Sequence, residues 1–398
     1  MKKLNPAQHP VEMEETSCPL CGELSPRGEP LKIENPVLRL EEGFCPLEKL
    51  EYSLCRRDGL IFMNYRPAKK TLDWYYQNSP QLANRCSRKI SSSNRQRIRW
   101  LEENLNLDTG DRVVDLGTND GNFLYALKKA GYEPAGIEPS RAAVKRLNNY
   151  YEGLEIYGGT VGENFDVLAR LNPRLISMIH LFEHLAKPLE LLRSLASTVQ
   201  SRLFLELPNG SGKLYPRITR EHGHLYYYDQ NTLAAAMNTA GYKIEKIEPA
   251  AHKRTLRAIA RPGVKKTVKL TPPDEKKQKL WQKTKTRIEE ENIKIKNKTA
   301  EWKERIRKQN LQVGLYGAGT DCFKWLGRLE EVQGNISAIF DRTPHFQGEQ
   351  LLGIPIMPPE KNKIKKLDWL IITPRGQEEK IARELPAATT RATKIKFL

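Results

Sequence analysis

The chain of 398 residues exceeds one ordinary domain of roughly 150 residues and predicts two or three units. Hydrophobic residues make up 39% of it, which fits globular cores, and no apolar run approaches the ~20 residues of a membrane-spanning helix. The net charge of +18 raises nucleic acid as a partner, but residues 262–310 hold 16 Lys and Arg against 7 Asp and Glu, so half the excess is local.

After two lysines the opening MKKLNPAQHPVEMEE turns polar and acidic instead of entering an apolar signal core. Six cysteines are too few for a disulfide scaffold, and together these features predict a cytoplasmic protein. Residues 1–66 carry a cysteine group, several prolines and little helical periodicity, which predicts a small irregular or β-rich module. Within it stand Cys18-Pro-Leu-Cys21 and, further on, Cys55-Arg-Arg-Asp58-Gly. The pattern resembles a zinc ribbon, where two cysteine pairs on separate turns supply a tetrahedral thiolate site. Aspartate has replaced the last cysteine. Asp58 is able to ligate zinc and Cys45 is a further candidate, and any zinc here is expected to be structural.

Residues 67–262 form the second expected unit. The helical patterns TLDWYYQ and RQRIRWLEENL lead into strand-like runs alternating with amphipathic ones: RVVDLG, FLYALKKAG, PAGIEPS, AAVKRLNNYY, LISMIHLF, PLELLRSLAS, RLFLELP, TLAAAMNTAGY and KIEKIEP. That alternation predicts an α/β fold, a doubly wound parallel sheet. Its strongest local signal is VVDLGTNDGNF, an apolar strand ending in Asp115, then Gly117, Gly121 and an amphipathic helix. At the carboxyl end of the first parallel strand the chain must turn sharply under a ligand, and glycine permits both the turn and the close approach. An acid stands where the G-x-G-x-x-G of dinucleotide binders has its first glycine. A carboxylate there suits a ligand with a cationic amino-acid end. Glu138, 23 residues on and at the end of the next strand, is placed to grip two ribose hydroxyls.

Strand, glycine turn, helix, strand and acid in that order resemble the class I methyltransferase cofactor site. The resemblance implies S-adenosylmethionine as cofactor, with Asp115, Gly117, Thr118, Asn119, Asp120 and Gly121 along its methionine end, Glu138 on the ribose and Thr160 on the adenine side. The phrase IHLFEHLAKP, with Glu183 and His184, looks like the strand-end segment of a large group of small-molecule methyltransferases. EHGHLYYYDQNTLAAAMNTAGY resembles their later segment. The three-part layout is similar to that of sugar C-methyltransferases acting on nucleotide-linked keto sugars, which have an N-terminal zinc module, a catalytic domain and a C-terminal Rossmann-like domain.

That likeness implies a general-base histidine within a His-Glu-His-like segment. The matching stretch is Glu221-His222-Gly223-His224, so His224 aligns with the second histidine and Gly223 stands where the Glu belongs. Glu221 is the carboxylate at hand to replace it. The candidate catalytic residues are therefore His224, His222, Glu221 and His184, with Tyr226, Tyr227 and Tyr228 either contacting a sugar or packing in the core. The expected reaction is methylation of a carbon of a nucleotide-activated sugar or related metabolite. O-methylation of a small hydroxyl compound is the alternative that the lost Glu favours.

Residues 263–310 form a basic connector, in which Trp281, Ile288, Ile295 and Trp302 recur every seven residues as one stripe on a long helix. The stripe and the interspersed Glu residues favour a docked helix with a solvated face. A nucleic-acid-binding arm is the alternative of another class. Residues 311–398, with LQVGLYGAGTDC, ISAIFD and LDWLIIT, predict a second, smaller Rossmann-like domain. Gly317 and Gly319, with Asp341 at the end of the next strand, form a partial dinucleotide fingerprint in which Cys322 takes the third glycine's place, and no second cofactor is expected.

Overall fold

A computed structural model describes residues 2–3, 11–23, 30–33, 37–40, 43–47, 49–78, 86–211, 224–374, 376–385 and 394–396. The chain divides into two compact units, residues 11–33 with 49–284, and residues 1–10 and 34–48 with 285–398.

The first unit is built on a seven-stranded sheet of β1 (Arg112–Leu116), β2 (Glu133–Glu138), β3 (Glu155–Gly158), β4 (Leu175–Ile179), β5 (Arg202–Pro208), β6 (Tyr242–Pro249) and β7 (Thr255–Pro262). The strand order is β3-β2-β1-β4-β5-β7-β6, with β1 to β5 parallel and β7 antiparallel to both its neighbours. This is the doubly wound sheet expected from the sequence, with one strand added. Strand β7 went unread because Arg257 interrupts its apolar run, yet Arg257 is buried by pairing with Glu206 on β5 at 2.7 Å.

Helices Ser92–Asn104, Asn122–Lys129 and Arg141–Tyr150 cover the sheet, packing Leu101, Phe123, Leu127 and Leu147 against Val113, Phe204 and Ile259. Ser91 and Ser140 cap the first and third of these, each accepting a backbone N–H in the first turn. The middle helix starts from Gly121 at φ +70°, where a Cβ would sit 2.6 Å from Leu147 Cδ2 and 2.9 Å from Tyr151 Cε2. Gly121→Ala combines a left-handed backbone with overpacking and is expected to destabilise the unit by about 2–4 kcal/mol, read as a lower midpoint in urea unfolding.

The N-terminal part of this unit is an antiparallel sheet of Leu31–Ile33, Leu50–Leu54 and Ile61–Pro67, with Met13–Glu15 paired to the last. Its remaining strand comes from far along the chain, because Tyr226–Tyr227 pairs with Ile61 and Phe62. Tyr52 Oη donates to the His224 carbonyl at 2.7 Å, and Leu225 N donates to the Glu183 carbonyl at 2.7 Å. These bonds seat His224 beside the end of β4.

The second unit holds a six-stranded sheet in the order Gln350–Leu351, Ile354–Met357, Ile336–Phe340, Val313–Tyr316, Trp369–Ile372 and Lys394–Lys396. All neighbours are parallel except the first two, so it is Rossmann-like. Gly317 turns at φ +93°, where a Cβ would meet Pro374 Cγ at 2.7 Å, and Asp341 accepts the Ala318 N–H at 2.7 Å. Lys2–Lys3, Val37–Leu40 and Gly43–Pro46 form a small sheet in the same unit.

Helix Glu275–Gln309 runs without a break, and all four residues of the predicted stripe, Trp281, Ile288, Ile295 and Trp302, are buried. On its outer face Lys279 pairs with Glu275, Arg287 with Glu291 and Lys308 with Glu304, one turn apart in each case. Among the described residues no helix is long and apolar enough to cross a membrane.

Candidate active site

Strand order reverses at β1, which has β2 on one side and β4 on the other, and in such sheets the crevice beyond the strand ends is where ligands bind. A cavity of about 790 Å³ opens there, walled by Asp115, Gly117, Thr118, Asn119, Asp120, Glu138 and Thr160, and on its other side by Tyr76, His180 and His184. The sequence-derived cofactor residues other than Gly121 thus line one space, while Gly121 packs against Leu147 and Tyr151 at the start of the helix.

Glu138 is 1% exposed at the end of β2, and its two carboxylate oxygens accept the N–H groups of Asn119 and Ser140, each at 2.9 Å. Burial raises its carboxyl, opposed by those two bonds. Asp115, also buried, accepts Ser177 Oγ at 2.6 Å. Burial pushes its carboxyl up to about 7, against the Ser177 bond and the Arg97 charge. Between them Gly117 turns at φ +71°, where a Cβ would stand 3.1 Å from Leu181 Cδ1, and Asn119 follows at φ +51°. Thr160 caps the short turn Val161–Asn164 in a reciprocal pair with Glu163. This leaves its hydroxyl employed locally, although the residue still lines the cavity.

The other wall is a cluster of imidazoles around one acid. Glu183 is 0% exposed, with Oε1 3.2 Å from His180 Nδ1 and 3.9 Å from His224 Nε2. Its Oε2 has no hydrogen-bond partner among the described residues. Burial would raise the Glu183 carboxyl, but the His180 bond and the charges of His184, His224 and His180 outweigh it and hold it below the usual range. His184 Nδ1 lies 3.0 Å from Tyr76 Oη, and its ring stands edge-on to His224 with centroids 4.7 Å apart. His224 is therefore one ring behind the wall, 6% exposed, and burial pushes its pKa down to about 3, helped by His184 and opposed by Glu183.

Tyr227 is buried 5.6 Å from the His224 ring, Tyr226 bonds Arg66 Nη1 at 2.8 Å, and Tyr228 packs on Phe182. These tyrosines belong to the interior behind the cavity. Glu221 and His222 lie outside the described residues. Sequence reasoning missed Tyr76, which it read only as part of a helix, and His180, which it passed over one residue beyond β4. It also missed Arg97, whose Nε and Nη2 reach Glu206 Oε1 at 2.8 and 2.6 Å across the sheet end. No local signal announces such a long-range ion pair.

Apart from this cavity, the ligand atoms of Cys18, Cys21, Cys55 and Asp58 all lie within 4.8 Å of one another. Cys18 Sγ is 3.1 Å from Asp58 Oδ2, and Cys21 Sγ is 3.5 Å from Cys55 Sγ. The two turns are near copies: Gly22 N bonds the Cys18 carbonyl at 2.8 Å and Gly59 N the Cys55 carbonyl at 2.9 Å, with both glycines at φ +75°. The Cys45 side chain is outside the described residues.

Residues 81–247 match the sequence model of a family described as a methyltransferase domain. No curated protein matches the chain. Solved structures similar to part of it include a SAM dependent methyltransferase from Archaeoglobus fulgidus, at 19% identity and TM-score 0.36, covering 44% of this chain and 94% of that one. A second is magnesium protoporphyrin IX methyltransferase from Synechocystis PCC 6803 with bound SAH, at 17% identity and TM-score 0.34, covering 43% and 82%. The sheet is Rossmann-like and residues 81–247 match a methyltransferase domain, which makes the protein an enzyme.

Proposed function

We propose that the enzyme transfers a methyl group from S-adenosylmethionine to a small molecule, and that the acceptor is a carbon of a nucleotide-activated keto sugar. The observation that carries the cofactor assignment is the pair of buried carboxylates, Asp115 and Glu138, on one cavity wall at the point where strand order reverses. Bound there, the cofactor supplies a methyl group already made electrophilic by its sulfonium. Each Glu138 oxygen keeps lone-pair capacity beyond its one backbone bond and so accepts the ribose hydroxyls. Asp115 faces the ammonium group, Thr118, Asn119 and Asp120 follow the methionine end, and Thr160 borders the adenine side.

The Asp115 assignment has a pH signature. Only the ionised carboxylate attracts an ammonium group, and this carboxyl is raised to about 7, so affinity should grow as pH rises through 7 and fall roughly tenfold per unit below it. Calorimetric titrations between pH 5.5 and 8.5 on the ~1-unit scale of that linkage test this. Asp115→Asn should bind weakly and without the pH dependence, and a native affinity flat across pH 7 contradicts the assignment.

For the acceptor, the support is the histidine cluster on the opposite wall together with the three-part sequence layout. Deprotonating a carbon beside a carbonyl needs a positioned base, and imidazoles suit that task at neutral pH. O-methylation is the second reading, favoured by Gly223 in place of the Glu. Incubation with S-adenosylmethionine and a nucleoside diphosphate 4-keto sugar in D2O separates the two. Deuterium entering beside the carbonyl, with a new C-methyl product, is expected. An O-methyl product without exchange establishes the second reading.

We further propose that Cys18, Cys21, Cys55 and Asp58 hold a structural zinc. Tetrahedral zinc with Zn–S bonds near 2.3 Å requires sulfurs about 3.8 Å apart, and the Cys21–Cys55 separation of 3.5 Å is close to that.

A further inference from the structure

We propose that His180 is the residue that takes the acceptor's proton, and that Glu183 is the carboxylate orienting it in place of the one missing at position 223. The inference rests on the methyl-transfer reading above and assigns the base within it.

His180 is the first residue beyond β4 and lines the cavity, with 41% of its side chain exposed. Its backbone sits at φ +53°, a left-handed conformation uncommon outside glycine. Two contacts hold it there: its N–H donates to the Glu206 carbonyl at 2.7 Å, and its Nδ1 meets Glu183 Oε1 at 3.2 Å. Nε2 lies 3.8 Å from Glu206 Oε1. The ring therefore stands between two acids, each fixed by its own surroundings. Glu183 is fully buried, and Glu206 is clamped by Arg97 at 2.6 Å and Arg257 at 2.7 Å.

Among the described residues, the two neighbouring histidines are less suited. Nδ1 of His184 is engaged with Tyr76 Oη. His224 lies behind His184, where burial disfavours an imidazolium. Among the described residues, the charged and titratable groups around His180 are Glu183 and His184 on its own turn, Glu206 from β5 with Arg97 and Arg257 behind it, and His224 with Tyr76 beyond His184. Burial lowers the affinity of His180 for a proton, but the Glu183 bond and charge and the Glu206 charge outweigh it and raise its pKa, against Arg97.

With Nδ1–H donated to Glu183, the lone pair on Nε2 is left to accept a proton. The acceptor's proton passes first to Nε2 and its C–H bonding pair is left as an enolate; when that carbon then bonds to the methyl carbon, the S–CH3 bonding pair would remain on sulfur. The resulting imidazolium is stabilised between Glu183 and Glu206 and returns its proton to water through the open cavity.

The test uses the full chain labelled with 13C at histidine Cε1, with His180→Gln to assign the signal. His180 is expected to titrate above the ordinary 6.5. Glu183→Gln should lower that midpoint by about one unit or more, and Glu183→Asp should restore part of it. A native midpoint at or below 6.5, or one unmoved in Glu183→Gln, overturns the proposal. This arm needs no acceptor, so its failure is distinct from failure of the methyl-transfer reading. With an acceptor found by the deuterium experiment, His180→Gln should lower kcat about 100-fold or more while KM and cofactor affinity stay within about threefold. A native-like kcat, or a kcat pH limb that does not follow the His180 midpoint, overturns it.

Discussion

Glu138→Ala is expected to weaken S-adenosylmethionine binding by more than about 100-fold. The carboxylate is 1% exposed and aimed into the cavity wall, and hydrogen bonds to a charged acceptor contribute about 1.5–3 kcal/mol each. Two bonds to ribose hydroxyls therefore account for at least about 3 kcal/mol, and every 1.4 kcal/mol is tenfold in affinity. The substitution also releases the Asn119 and Ser140 N–H groups, loosening the turn that carries the methionine end. Calorimetry on native and variant protein measures the loss, with thermal unfolding as a control for the fold. Affinity within about threefold of native would remove Glu138 from the site.

The second large effect is expected at the thiolate cluster. Cys55→Ser, or a strong chelator, should remove one equivalent of zinc and lower the melting temperature by about 10 °C or more. Structural zinc sites contribute folding free energy outright. The loss should reach beyond the cluster, because the same antiparallel sheet contains Tyr226–Tyr227 and anchors His224 through Tyr52. Metal analysis with a thermal melt measures both consequences. A full-length protein that holds no zinc, and melts alike with and without chelator, would contradict the assignment.

What could be read from the sequence is what short-range chemistry dictates. Asp115, Gly117 and Glu138 were legible because a strand ending in an acid and turning on glycine is a local event, and the positive φ of Gly117 and Gly121 is the physical reason for those residue types. Cys18-Pro-Leu-Cys21-Gly22 and Cys55-Arg-Arg-Asp58-Gly59 were legible for the same reason, as two turns of one design that the fold brings together. The heptad stripe of the long helix was also readable, since burial of Trp281, Ile288, Ile295 and Trp302 follows from spacing alone.

The remainder depends on pairings across the chain. Arg257 and Arg97 look like surface residues until Glu206 brings them under cover. Tyr226–Tyr227 joins a sheet whose other strands come from the first 67 residues, pairing with the strand Ile61–Pro67 that holds Arg66. Residues 34–48 read as part of the N-terminal module, yet they cluster with the C-terminal unit. His224 carried the strongest motif signal for catalysis, but His180 and His184 line the cavity in front of it. Position relative to a cavity cannot be inferred from a motif.

The most direct test is calorimetric titration of the native chain with S-adenosylmethionine at pH 8, above the value of about 7 to which burial pushes the Asp115 carboxyl. One site per chain is expected, with a dissociation constant in the micromolar range, on the order of −8 kcal/mol. Absence of binding up to about 1 mM ligand would contradict it, leaving a methyltransferase fold whose cofactor pocket serves another ligand.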